Sequence, residues 1–251
     1  MSPTVFDVMT RGKPFPTPRP TARQLPSDDG EPMDTPWHRL NMHLLIDQIN
    51  SRWRHRDDFY TGGNMFVYFG DREVFHKDFR GPDFFVVSGG VDRLKERDSW
   101  VAWEEDDRLP DVIVELASES TIDVDRVVKH AVYSKRMHCR EYFIYDPSED
   151  RLQGWQLGPG YEYLPLDQDD DDRLWSDVLG CSLGTWDGEY SEHAARWLRM
   201  YELDGTLAPT RLEQTEARLV TERDALRAQE GEIARLRAEL AALRDTPPNT
   251  P

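Results

Sequence analysis

The chain has 251 residues and a formal net charge of −17, with 38% hydrophobic and 31% charged residues. That length holds one ordinary domain of about 150–200 residues plus extensions. Two cysteines, Cys139 and Cys181, are too few for a disulfide framework and lack metal-ligand spacing, which fits a reducing cytosol. Met1 to Asp7 has neither a positive leader nor an apolar run, and no 18 consecutive residues are apolar. The expectation is a cytoplasmic protein with no membrane partner. Residues 206–251 carry a net −1, so −16 lies in residues 1–205. An acidic body argues against general attraction to nucleic acid, which relies on Lys and Arg neutralising phosphates. Lys129–His130 and Lys135–Arg136–Met137–His138 offer local basic clusters on it.

Residues 1–36 hold 8 of the 17 prolines and almost no apolar periodicity, the pattern of an extended, poorly ordered arm. A helix is expected from about Pro36 to Arg54, with Leu40, Leu44, Leu45 and Ile49 at helical spacing. Thr35-Pro36 supplies its N-cap and first turn. After a turn at Gly62-Gly63-Asn64, strands are expected at Met65–Phe69, Asp83–Val87 and Asp111–Leu116. Their near-continuous aliphatic runs suit strands covered on both faces. Ser120, Thr121 and Asp123 make an N-terminal capping arrangement for a helix from about Ile122 to Met137. That helix is expected to bury Val124, Val127, Val128, Ala131 and Val132. Glu141–Tyr145 reads as a fourth strand, and Leu152–Leu157 with Tyr161–Leu166 as a hairpin. The order is helix, three strands, helix, strand, and further strands. It makes an α/β domain over residues 37–200 whose fourth strand enters through a crossover helix. Five aspartates in Asp167–Asp172 lack the central Gly and closing Glu of a calcium loop, and read as a solvated turn.

In the tail, Leu212, Leu219, Leu226, Ile233 and Leu240 recur every seven residues. Leu236 and Leu243 fill the second seam position late, where Thr215, Glu222 and Gln229 stand earlier. Residues 206–245 therefore read as a coiled-coil helix that self-associates or takes a partner helix, with 246–251 as a disordered end.

Three residues carry chemistry. Asp83 begins one expected strand, and Glu115 sits late in the next, inside a run otherwise fit for full burial. Alternation sets Asp111, Ile113, Glu115 and Ala117 on one face. A buried carboxylate is costly unless paired or metal-bound, so an acid at this position marks a candidate site. On the next helix Asp125, Lys129 and Tyr133 share a face at i, i+4 and i+8. The chain has five lysines against 26 arginines, so a lysine here suggests a requirement for an ammonium. Taken singly, Asp83 also suits a plain strand start, and Lys129 a surface charge pairing Asp125.

The ordered series Trp37-His38-Arg39, Gly63–Tyr68, Pro82–Val87, Trp103-Glu104-Glu105, Pro110–Glu115, Ser118, Ser120-Thr121, Asp125–Lys129–Tyr133 and Glu141–Pro147 resembles the Uma-two family. That family belongs to the restriction-endonuclease-like PD-(D/E)XK superfamily, and the resemblance covers residues 37–165. It implies a mixed central sheet flanked by helices (an αβββαβ core) and a DNA substrate. It also implies magnesium (or manganese) held by Asp83, Glu115 and the Leu116 backbone carbonyl. Asp111, Asp125 and Tyr133 are secondary candidates. The superfamily's lysine two residues beyond the acid is Ala117 here, and the resemblance assigns its role to Lys129 on the following helix. Glu119 also departs, standing where a proline is common.

Two function classes follow. One is a magnesium-dependent DNA endonuclease. The other is an inactive nuclease-fold scaffold that assembles through its coiled coil, which the acidic body and Pro-rich arm also suit. Metal-dependent cleavage separates them. A Ser-His hydrolase is a poor match, because no Gly-x-Ser-x-Gly elbow occurs and the seven histidines show no suitable spacing.

Overall fold

The computed structural model describes residues 19–27, 35–70, 81–117 and 125–244. Most of the Pro-rich arm, the Ser120-Thr121-Asp123 cap, Val124 and the 246–251 end lie outside the described residues. The chain forms two units, Met1–Ala208 and Pro209–Pro251.

In the first unit a short 3-10 turn (Ala22–Gln24) precedes helix α1 (Pro36–Arg52), which is capped as expected: the Thr35 side chain accepts from the His38 backbone N–H at 3.2 Å. A six-stranded mixed sheet follows, in the order β1-β3-β5-β6-β7-β8. Its strands are β1 (Tyr60–Gly62), β3 (Phe84–Val87), β5 (Val112–Leu116), β6 (Glu141–Asp146), β7 (Arg151–Leu157) and β8 (Tyr163–Pro165). Strand β3 runs antiparallel to β5, and β5 runs parallel to β6. A parallel neighbour requires a crossover, and the helical segment between β5 and β6 supplies it.

Both faces of the sheet are covered. Phe84, Val86, Val112, Val114, Leu116, Phe143 and Tyr145 pack toward α1 and a second sheet. Phe85, Val87, Ile113, Ala117, Tyr142 and Ile144 pack on the opposite face with Val132 and Tyr133 of the crossover helix and Met137 just beyond it. Burial on both faces explains why these strands read as continuous apolar runs.

Two expectations are corrected. The first strand of the core is Tyr60–Gly62. The Met65–Phe69 segment contributes only β2 (Val67–Tyr68), which pairs in parallel with β4 (Trp100–Val101) outside the main sheet. The crossover helix also turns a different face inward. It starts as a π-helical turn, Asp125–Lys129, and continues as α2 (His130–Lys135). A π turn takes up extra residues and rotates the side chains that precede it out of the 3.6-residue phase. Val127 and Val128 are therefore 69% and 45% exposed, and Ala131 is exposed as well, while Tyr133 is fully buried.

Beyond β8, strands β9 (Leu174–Ser176), β10 (Cys181–Tyr190) and β11 (His193–Tyr201) form a three-stranded antiparallel sheet. Strand β11 is an edge, and two buried carboxamides of α1 satisfy part of it. Asn41 accepts from the Leu198 N–H at 2.9 Å and donates to its carbonyl at 3.0 Å. Gln48 accepts from the Met200 N–H at 3.2 Å and donates to the Ala208 carbonyl at 2.6 Å. Trp37 stacks on Trp197 with ring centres 6.1 Å apart. These contacts fix α1 and, with it, the side chain of His38.

The second unit contains helix α3 (Arg211–Arg244), 34 residues long. Thr210 and Glu213 close a reciprocal capping box, Glu213 accepting from the Thr210 N–H at 2.7 Å and Thr210 from the Glu213 N–H at 3.2 Å. Among the described residues no helix is long and apolar enough to cross a membrane.

Candidate active site

The β3–β5 register pairs Phe84 with Val114, so one step further sets Asp83 across from Glu115. Asp83 is anchored at that point, its Oδ2 accepting from the Leu116 N–H at 2.8 Å. Its own N–H points at Glu115 Oε2, 3.5 Å away. Glu115 is completely buried on the sheet face that α2 covers.

Its charge is answered from the crossover helix. Lys129 Nζ lies 3.0 Å from Glu115 Oε2, and the Tyr133 hydroxyl donates to Oε1 at 2.6 Å. The lysine and tyrosine stand four residues apart, so both reach one carboxylate from adjacent turns. Burial nevertheless dominates and pushes the Glu115 carboxyl up to about 7. Lys129 opposes that shift, the neighbouring Asp83 charge adds to it, and the Tyr133 hydrogen bond again opposes it.

The end of β5 carries a further partner. His38 Nε2 lies 2.6 Å from the Leu116 carbonyl oxygen, and its Nδ1 lies 2.9 Å from Thr35 Oγ1. Because the carbonyl only accepts, Nε2 bears the proton and donates. His38 is buried, and the same Thr35 oxygen caps α1. The helix N-terminus is thus tied directly to the carbonyl beside Glu115.

Of the sequence candidates, Asp83, Glu115, Leu116, Lys129 and Tyr133 come together. Lys129 pairs with Glu115. Asp111 does not join them: its carboxylate accepts from the Ser88 N–H and hydroxyl, both at 2.7 Å, and ties the end of β3 to the start of β5. The side chain of Asp125 lies outside the described residues. His38 was not singled out for chemistry by spacing, since it is 77 positions from Glu115. Its only sequence signal is its place in the Trp37-His38-Arg39 motif.

A divalent cation fits this donor set. Two adjacent carboxylates and a backbone carbonyl are hard oxygen donors, and magnesium favours a few such ligands with water completing its shell. Among the described residues no three His, Cys, Asp or Glu side chains form a metal cluster. A metal site here would rest on two carboxylates and the carbonyl.

A mixed central sheet flanked by helices, with a crossover helix between β5 and β6, is a restriction-endonuclease-like fold. The chain belongs to the Uma2 family, whose description reads "Putative restriction endonuclease", and it matches that family over residues 28–186. It is also similar to a solved protein described as "a putative nuclease belonging to DUF820 from Anabaena variabilis ATCC 29413". The two are 16% identical with a TM-score of 0.42, over 62% of this chain and 87% of that one. No curated protein matches the chain.

Proposed function

We propose that the protein is a divalent-metal-dependent DNA endonuclease acting through Asp83, Glu115 and Lys129. Asp83, Glu115 and the Leu116 carbonyl would hold magnesium or manganese. When bound, the cation would neutralise phosphate charge and lower the pKa of a water molecule. Asp83 and Glu115 present two oxygens from rigid, adjacent strands, so their separation is set before any ligand arrives. Lys129 is held by Glu115 with its ammonium at the same place. There it can orient an attacking water and stabilise charge growing on a phosphate oxygen. Tyr133 fixes the rotamer of Glu115, and His38 fixes the Leu116 carbonyl; both are positioning residues.

The observation that carries this reading is a fully buried carboxylate held 3.0 Å from a lysine, with a second carboxylate across the strand pair. Purified full-length protein with magnesium or manganese should nick plasmid DNA. Glu115→Ala and Lys129→Ala should each reduce cleavage by at least about a hundredfold. Equal cleavage by the parent and both variants would mean a contaminant or a site other than Glu115 and Lys129. Absence of cleavage on any DNA, by folded protein with either metal, would favour a scaffold role on the same fold. In either case residues 206–245 are read as a coiled coil through which the protein assembles.

A further inference from the structure

We infer that helix α3 pairs with the α3 of a second copy of this chain in an antiparallel orientation. This rests on the coiled-coil reading above and goes beyond it by fixing the direction. The helix spans 34 residues, about 51 Å at 1.5 Å per residue. Leu212, Leu219, Leu226, Ile233 and Leu240 lie along it between 48% and 66% exposed. An isolated helix with a glycine at Gly231 gains little from propensity, and an apolar stripe on this repeat needs a facing helix.

Charge decides the direction. With the leucine stripe at one seam position, Glu216, Arg223, Glu230 and Arg237 flank it, alternating in sign every seven residues. In an antiparallel pair, flanking positions of the same kind meet across the seam. Glu216 then faces Arg237 of the second copy, and Arg223 faces Glu230, each twice by symmetry. Arg218 and Glu239, on the other flank, also meet as opposite charges. A parallel pair also gains opposite-charge contacts (Arg211 with Glu216, Glu232 with Arg237, Glu239 with Arg244). But it sets Arg218 against Arg223 and packs Glu222 against Glu222 inside the seam, two repulsions that the antiparallel pair avoids. Core composition points the same way. Antiparallel pairing opposes the polar early seam of one copy (Thr215, Glu222, Gln229) with apolar residues Leu240, Ile233 and Leu226 of the other. It also sets Leu219 against Leu236. Glu222 keeps its partner on its own helix, Arg218 at 2.7 Å. The two Arg211 ends then lie at opposite ends of the rod.

A charge swap on the full chain tests this. Neither Glu216 nor Arg237 has an opposite charge three or four residues away, so their exchange leaves helix-internal pairs intact. In equilibrium sedimentation the parent should be a dimer. Glu216→Arg and Arg237→Glu should each weaken it about five- to thirtyfold. The double variant should recover to within about threefold of the parent. A dimer weakened further in the double variant is parallel, because Glu216 then faces Arg211 and Arg237 faces Glu232; that result overturns the orientation and leaves self-association standing. A chain that stays monomeric at the highest concentration it tolerates overturns both. As an independent readout, Leu219→Cys alone should not form an intermolecular disulfide, whereas Leu219→Cys with Leu236→Cys should; a disulfide from the single variant overturns the antiparallel pair. The native Cys139 and Cys181 are buried and do not interfere.

Discussion

Glu115 is the residue on which the candidate site turns, because burial and Asp83 resist its ionisation while Lys129 and Tyr133 favour it. Burial raises its carboxyl from the ordinary glutamate range to about 7. The folded state therefore favours the protonated form. Below about pH 4.5 the acid is neutral in both folded and unfolded chains, and no cost arises. As pH rises toward 7 the unfolded chain releases its proton first and stability falls, by at most about 3 kcal/mol once pH passes 7. Urea midpoints with chelator present should accordingly drop between pH 5 and pH 8 more steeply in the parent than in Glu115→Gln, which has no proton to lose. Equal slopes would show that Glu115 ionises at no cost. Glu141 is also raised by burial, but it is common to both proteins and cancels. His38 invites a second test at this scale. Removing its imidazole leaves the Leu116 carbonyl without that donor, and a buried polar group left unpaired costs about 1–3 kcal/mol. His38→Ala should lower the melting temperature, and His38→Gln, whose amide can donate to the same oxygen, should recover part of the loss. If Gln is no better than Ala, packing rather than the hydrogen bond holds His38.

At the scale of elements, α1 is attached to the edge of the second sheet by two side chains acting as backbone. Asn41 makes both of its bonds to Leu198, so Asn41→Ala leaves a buried donor and acceptor unpaired in β11. The expected loss is about 2–3 kcal/mol in chemical denaturation, and a loss below about 0.5 kcal/mol would mean water replaces the amide. None of this was legible from apolar spacing, because Asn41 and Gln48 look like exposed positions until β11 is in place. Strands β3, β5 and β6 were readable since burial on both faces writes itself as unbroken apolar sequence. The three-residue β1 was hidden by Gly62-Gly63, which reads as a turn. Strands β9 to β11 alternate small, polar and aromatic residues, and nothing in that pattern separates them from a loop. The inward face of the crossover helix was missed for a geometric reason: the π turn at Asp125–Lys129 breaks the 3.6-residue count. That is why Lys129 and Tyr133, and not Val127 and Val128, face the core. Asp83 and Glu115 were legible individually. Their juxtaposition needed the β3–β5 register, and His38 needed the whole fold.

For the molecule as a whole, the charge of −17 sets a constraint on how it meets a polyanion. A protein that binds DNA through many phosphates shows a steep fall of affinity with salt, about 0.9 in slope for each phosphate neutralised. Among the described residues, the basic side chains of the crossover segment are engaged. Lys129 is paired with Glu115, Lys135 lies 2.8 Å from Glu162, and Arg136 sits over the Phe69 ring at 4.8 Å. His138 stacks on Tyr161 with ring centres 3.8 Å apart, an aromatic surface rather than a charge. If the endonuclease reading holds, binding of a hydrolysis-resistant phosphorothioate duplex, followed by fluorescence anisotropy with magnesium present, should have a shallow log–log salt slope of about −2 to −3. Chelation should weaken it sharply, since the carboxylates would then repel the phosphate without a cation between them. A slope near about −8 would require an extended basic footprint that the described surface does not carry, and would place the DNA-binding face elsewhere in the chain.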